Sequence, residues 1–451
     1  MIAHIVFEAD SALRVGCGDA NMLFDSPIQR DFNEMPMILG TSLCGVIRSI
    51  AQSHLGKAKV EDLFGKEEIK SKLIFSNAMI LDDEMKVNER LIPLDRLASH
   101  HFLRHFLHLP QRQHNRISHN GTCEDGGKFD EDIIFKGTRF KFSISLQCKD
   151  ESDKEDFFSI LNLLYLSYFR LGAGKTKGFG KIKILNISYD NLKDVASASL
   201  NESLKHTFSP KDYKGSARFI RYILSLKPEN SFIFGSGFGD LEVDSVGVME
   251  NIIDYETKNF KKSLLIPASS IKGAISHRSR FYINQSLKNA IDSTNKQKDK
   301  QAEAIHSSLF GSANDTSGGD FSGEYKGDSS NSLGGGDFIK SANKSDSAKK
   351  GKLLISDIYL DAFKEQVFAH NSIDRFSGAA RSGALFQERA YLSDSFTLTI
   401  FVEKCESDEF KIALESFERA LDDICKALLP LGAMSAKGHG FFIGTLRKEE
   451  V

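Results

Sequence analysis

The chain has no apolar run long enough to cross a bilayer as a helix and no basic-then-apolar leader at Met1, so no helical membrane span is indicated and a cytoplasmic protein is expected. Cysteine is scarce and scattered. Cys17, Cys44, Cys123, Cys148, Cys405 and Cys425 show no Cys-x-x-Cys spacing, which argues against a disulfide framework and a zinc ribbon. Charge of one sign is missing too: a formal net charge of −2 and a pI near 6.7 weigh against a free-standing nucleic-acid binder, whose affinity rests on surplus Lys and Arg. Local imbalance is still present. Acidic residues gather at 150–156 and 415–423, whereas Lys258, Lys261, Lys262, Lys272, Arg278 and Arg280 gather in one stretch of the second half.

What the chain does have is a duplication. Ile38-Leu-Gly-Thr-Ser-Leu-Cys-Gly-Val-Ile-Arg48 returns as Ile266-Pro-Ala-Ser-Ser-Ile-Lys-Gly-Ala-Ile-Ser276. In both, small or hydroxyl residues precede apolar ones at helical spacing, which predicts a turn feeding a helix N-terminus. Free N–H groups there, with the Ser42 and Ser270 hydroxyls, suit an anion such as phosphate, although capping alone also selects such residues.

The rest of each half keeps the same order. Residues 1–15 are expected to form a strand, which precedes a loop to Met37 that holds Asp19, Asp25 and Asp31. After the helix, Leu63-Phe-Gly65 leads to the strand Lys72–Ser76, and Leu309-Phe-Gly311 leads to Lys352–Ser356. Then His114–Gly121 and Gly126–Glu131 predict a hairpin arm, echoed by His370–Gly378 and Gly383–Glu388, and the alternating strands Phe140–Leu146 and Phe396–Val402 follow. Amphipathic helices come next, over Phe157–Phe169 and, with apolar positions Phe410, Leu414, Phe417, Leu421, Ile424 and Leu428, in the second half. Each half closes on a glycine loop and a strand, Leu171–Gly180 into Lys181–Ile184 and Leu431–Gly440 into Phe441–Leu446. The predicted fold is α+β, two tandem ferredoxin-like domains at 1–190 and 216–451, joined by a linker at 191–215 where periodicity lapses. The stretch 312–350, rich in Gly, Ser, Asn, Asp and Lys, is expected to be a disordered insertion.

Gly174-Lys-Thr176 is not a Walker A loop, because Phe169 stands where a glycine is needed, the segment runs helix to strand, and the second copy lacks the triplet. The kept Lys-Gly-x-Gly pattern suggests instead that Lys175, Lys177 and Lys437 contact phosphates while glycines admit another backbone; a turn with solvated lysines is the alternative. His100, His101, His105, His108, His114, His119 and Cys123 are dense enough to raise zinc, and His101, His105 and His108 would share a helical face. The second half has no such cluster, which favours a helix with polar rim histidines.

These repeated segments, in this order, resemble the RAMP superfamily of CRISPR-associated proteins, above all the backbone subunits of type III effector complexes, here with two units fused. The resemblance spans most of both halves. It implies a modified ferredoxin-like (RRM-like) fold lying along a guide RNA, with a thumb-like arm displacing a base at intervals, and metal-dependent cleavage of target RNA at an aspartate after the first strand. Asp25, within Phe24–Asp31, matches that loop well; Asp244, within Val243–Glu250, matches less well, lacking the Pro and the Arg-Asp pair. Both are candidate catalytic and metal-binding residues, with Mg or Mn as the ion. Arg48 stands where the family expects a basic residue, and since its counterpart is Ser276, Lys272, Arg278 or Arg280 takes that role in the second half. The expected partners are the guide, a complementary target RNA, a large polymerase-like subunit, and further backbone and small subunits. Such a reaction needs little else from the protein, because a 2′-hydroxyl of the RNA is itself a nucleophile and a carboxylate can hold a hydrated cation or accept a proton. Two other activities fit the same residues, a catalytically silent guide scaffold and a guide-processing RAMP endoribonuclease using a histidine without metal.

Overall fold

The structure is a computed structural model that describes residues 1–17, 27–117, 122–147, 151–191, 199–211, 218–288, 295–312 and 349–451. In the first half the order is β1 (Ile2–Ala9), β2 (Met37–Ile38), α1 (Gly40–His54), α2 (Lys57–Phe64), β3 (Leu73–Phe75), β4 (Ala78–Ile80), α3 (Leu94–Ser99), β5 (Gln111–Ile117), β6 (Cys123–Asp132), β7 (Arg139–Leu146), α4 (Glu151–Leu163), β8 (Ile182–Asp190) and β9 (His206–Thr207). β1 is buried at nearly every position because it lies mid-sheet, flanked antiparallel by β7 and β8, with β3 and β4 beyond β7 and β9 beyond β8. Helices α1 and α4 pack together on the sheet, burying Leu43, Ile47 and Ala51 from one and Phe157, Ile160 and Leu161 from the other. This is the ferredoxin-like strand order with both crossing helices on one face.

The second half repeats it: β10 (Phe219–Pro228), β11 (Met249–Asp254), β12 (Asn259–Ile266), α5 (Ala268–Lys288), α6 (Asn295–Phe310), β13 (Leu353–Ile355), β14 (Ile358–Leu360), β15 (Lys364–His370), β16 (Phe386–Leu392), β17 (Phe396–Glu403), α7 (Asp408–Cys425) and β18 (Phe442–Glu450). Here β10 lies between β17 and β18, with β13 outside β17. The Ser407 hydroxyl caps α7 by accepting from Phe410 N at 3.2 Å. Its buried stripe is Phe410, Ala413, Phe417, Ala420, Leu421 and Ile424; Leu414 is only half-buried, and Leu428 lies beyond the helix end, exposed.

Several boundaries differ from expectation. β1 ends at Ala9, and α4 starts at Glu151 and stops at Leu163, so 164–169 are turns rather than helix. Part of the expected linker belongs to the first module. There β9 pairs with β8, the Asn201 side chain bonds Val87 N and O, and Phe208 stacks on Phe158. The expected insertion lies mostly outside the described residues, but its ends, Ser312 and Lys349, are bridged by two backbone bonds of 2.9 and 3.1 Å.

The two modules share a buried seam that nothing in the repeat foretold. The β11–β12 hairpin of the second module lays Ile253 and Tyr255 into the core of the first, where the Tyr255 hydroxyl donates to Leu81 O at 2.8 Å and Phe260 packs among Phe102, Phe106 and Phe135. Beside it, Arg112 of β5 donates to Glu250 at 2.8 Å and to Asp357 at 2.6 Å, while the Tyr359 hydroxyl donates to Glu250 at 2.9 Å. Burial opposes the Arg112 charge, but the two carboxylates keep it firmly protonated.

Candidate nucleic-acid interface

Each module presents the same surface, made from the N-terminus of its first long helix, its glycine loop and the root of its arm. At the helix start the repeat explains itself. Gly40 N donates to the Asn77 side chain at 2.9 Å, and Ala268 N donates to Asp357 at 2.8 Å, so the residue two positions after the end of β3 or β13 caps the helix in both halves. Ser42 and Ser270 are exposed on the first turns of α1 and α5.

The glycine loops fold back on their own chain. Gly180 and Gly440 have positive φ, and a Cβ on either would collide with the carbonyl of Leu171 or Leu431, whose N–H groups bond Gly180 O and Gly440 O at 2.9 and 2.8 Å. Gly180 and Gly440 therefore serve close packing within the loop. Gly178 abuts the Asp357 side chain across the seam, whereas its counterpart Gly438 faces open space.

The loop lysines also have a partner the sequence did not suggest. Lys177 Nζ donates to Glu131 at 3.0 Å and lies 4.4 Å over the Phe129 ring; Lys437 Nζ donates to Glu388 at 3.0 Å and lies 4.6 Å over Phe386. On the same carboxylates converge Arg14 at 2.7 Å and His114 at 3.1 Å in the first module, and His370 at 2.8 Å and His439 at 3.0 Å in the second. Burial alone would raise the Glu131 carboxyl, yet His114, Lys177 and Arg14 hold it down to about 2, and Glu388 is lowered against its own burial by Lys437 and His370. Each cluster ties the arm root to the glycine loop. Lys177 and Lys437 are thus not freely solvated, and any phosphate they touch shares them with a buried glutamate.

The other candidates divide. Lys272, on the first turn of α5, is lowered by burial and by Lys177 across the seam, which brings the two modules' basic residues together. Arg48 donates to Gly65 O at 3.2 Å beside an open surface cleft. Arg278 is turned instead onto α7, donating to Asp423 at 2.6 Å, and Arg280 pairs with Glu303 of α6 at 2.8 Å. Helix packing occupies both, because α5 is long enough to run past the surface where its first turn lies.

Asp25 lies outside the described residues. Asp244 is exposed on the loop between β10 and β11, and its Oδ2 accepts from Gln387 N at 2.7 Å, which holds it beside β16, one residue from Glu388. Among the described residues no three His, Cys, Asp or Glu side chains stand close enough to hold a metal. One exposed carboxylate fits a hydrated Mg or Mn ion completed by substrate phosphates, and does not fit an all-protein cage. The histidine-dense segment makes no zinc site among the described residues. α3 ends at Ser99, so His101, His105 and His108 do not share one helix; His100 and His101 face Asp83, His105 packs on Phe260, and His119 lies outside the described residues.

Sequence reasoning missed Glu131, Glu388, His439 and Arg14 as site residues. The signal is present in the repeated Phe-x-Glu at 129–131 and 386–388, which by itself indicates only part of an arm because a carboxylate's burial is not written in its spacing.

Comparisons with known proteins show what the chain is similar to. The chain is 26% identical over 210 residues to the CRISPR system Cms endoribonuclease Csm3 of Methanocaldococcus jannaschii, covering 42% of this chain and 79% of the relative. It is 27% identical over 233 residues to the protein of the same name from Mycobacterium tuberculosis, covering 44% and 91%. A chain of the type III-B Cmr-beta complex bound to cognate target RNA aligns with 17% identity and a TM-score of 0.31, over 42% of this chain and 59% of that one. A family model described as the RAMP superfamily matches residues 6–183 and again 231–443. With the same fold built twice and matched twice, the chain belongs to the RAMP superfamily and carries two of its units in tandem.

Proposed function

We propose that the chain is a two-module backbone subunit of a type III CRISPR effector that binds a guide RNA and cleaves complementary target RNA once per module. The observation that carries this reading is the placement of Asp244: an exposed carboxylate, fastened to the root of the arm by Gln387 N, beside the Glu388 cluster that joins arm to glycine loop. Its similarity to endoribonucleases named Csm3 supports cleavage as the chemistry. RNA would cross the helix N-termini at Ser42 and Ser270, with Lys175, Lys177, Lys272, Lys437 and Arg48 supplying positive charge. A bound Mg or Mn ion, held by Asp244 in the second module and Asp25 in the first, would neutralise charge on the scissile phosphate. The arm holds the strand so that a 2′-hydroxyl lies in line with its phosphate, and Asp244 orients the reacting group.

The test uses complexes assembled with guide RNA and the other effector subunits. Asp244→Ala should abolish one cut in a complementary RNA while guide and target stay bound, and Asp25→Ala should abolish the other. If the double variant cleaves like wild type at saturating metal, both assignments fail and the chain is a scaffold. Cutting of precursor guide RNA in EDTA by the isolated chain would favour the histidine-based processing activity instead.

A further inference from the structure

We infer that the cleft between the two modules is a phosphate-binding site built by Arg170 and Lys183 of the first module with the hydroxyls of Ser356, Thr397 and Thr399 of the second. The cleft encloses about 460 Å³, between the start of β8 with the turns that follow α4 on one side and β10, β17 and residues 356–358 on the other. That is room for a phosphate ester with part of its attached group. The inference does not depend on the guide-RNA reading.

The charges of the cleft do not balance. Asp10 is committed to Lys136 at 2.9 Å and Lys181 at 2.7 Å, Asp357 to Arg112, and Arg221 to Glu449. Arg170, 3% exposed, has no carboxylate within ion-pair reach among the described residues. Its guanidinium donates to Ser167 O at 2.8 Å, to Phe169 O at 2.9 Å and to Ser356 Oγ at 3.2 Å, and its Nε is buried with no partner. Arg112, equally buried, has two carboxylates. Burying a cation outside any ion pair is costly, and here more positive charge crowds in: Lys175 is pushed down to about 8 by burial, by Lys350 and by Arg170, and Arg170 itself is lowered to about 10 by burial, which outweighs the attraction of the already paired Asp10. Lys183 adds an exposed ammonium at the rim. A concave site with surplus cations and three hydroxyls offers more donors than one carboxylate ligand can accept, and matches a phosphate, whose oxygens take several charge-assisted bonds. The phosphate can belong to a free nucleotide or to an RNA strand.

The test titrates the full-length chain with pyrophosphate, ATP and a short RNA oligonucleotide, by calorimetry and by amine labelling of Lys175 at pH 8. Saturable binding of at least one of them at one site per chain is expected, with slower labelling of Lys175 as the anion returns its proton. Lys183→Gln, an exposed change that leaves the fold intact, should weaken binding by about tenfold, the loss of one charge-assisted contact, and Arg170→Met should weaken it further. Tighter binding of ATP than of RNA identifies a nucleotide site, and the reverse an RNA phosphate; either supports the cleft. Absence of saturable binding by all three probes at millimolar concentration, or binding unchanged in both variants, overturns it.

Discussion

At the scale of single residues, the buried glutamates decide most. Glu131 is held near pKa 2 in the folded chain, below the value an unfolded chain gives it, so its contribution to stability is present above about pH 4.5 and is lost as pH falls toward 2. For Glu131→Gln the expected loss at pH 7 is about 3 kcal/mol, the magnitude of a shift of this size, and the variant's stability should fall less steeply than wild type between about pH 4.5 and 2. Denaturant unfolding at pH 7, 4 and 2.5 measures this; a variant curve parallel to wild type across that window would show that Glu131 is not held down. The pair His114 and Glu131 was legible as a repeated pattern, but its burial was not. Whether a carboxylate meets water or two cations depends on what the rest of the chain brings to it.

At the scale of elements, the repeat was read well where local rules govern. The order of strands, helices, arms and glycine loops followed from apolar period and turn residues, and the first helices begin where the hydroxyl-rich runs predicted. It was read less well at ends. The long α5 and its neighbour α6 have no full counterpart in the first half, and α4 stops at Leu163 although apolar residues continue, because Leu164, Tyr168 and Phe169 are buried in the turns that follow. One element-level expectation concerns 313–348. Ser312 and Lys349 are already joined by two backbone bonds, and loop closure depends weakly on length, so a short Gly-Ser replacement should shift the Tm by less than about 2 °C. A drop several times larger, read by calorimetry, would give the segment a folding role.

At the scale of the whole molecule, the seam turns two modules into one body. Arg112, Glu250, Asp357 and Tyr359 come from both halves and are bonded together, Arg112 and Asp357 buried and Glu250 and Tyr359 half-buried. Removing the cation leaves two carboxylates without their counter-charge, so Arg112→Met should cost about 3–5 kcal/mol. Asp357→Asn should cost less than Asp357→Ala, since an amide still accepts from Ala268 N as Asn77 does from Gly40 N. Chemical denaturation of the three variants checks both statements; equal losses for the two Asp357 variants would remove the capping role.

The sequence by itself determined the duplication, the two ferredoxin-like sheets and the resemblance to the RAMP superfamily, because these rest on periodicity and motif order along the chain. Only the tertiary structure decided which charges are free. Lys177 and Lys437 point to buried glutamates, Arg278 and Arg280 turn to neighbouring helices, and Arg170 and Lys175 stay outside any ion pair among the described residues, in or beside a cleft between modules. Electrostatic partners are set by proximity in space. Residues as distant along the chain as Arg112 and Asp357 meet only after both modules have packed across the β11–β12 hairpin.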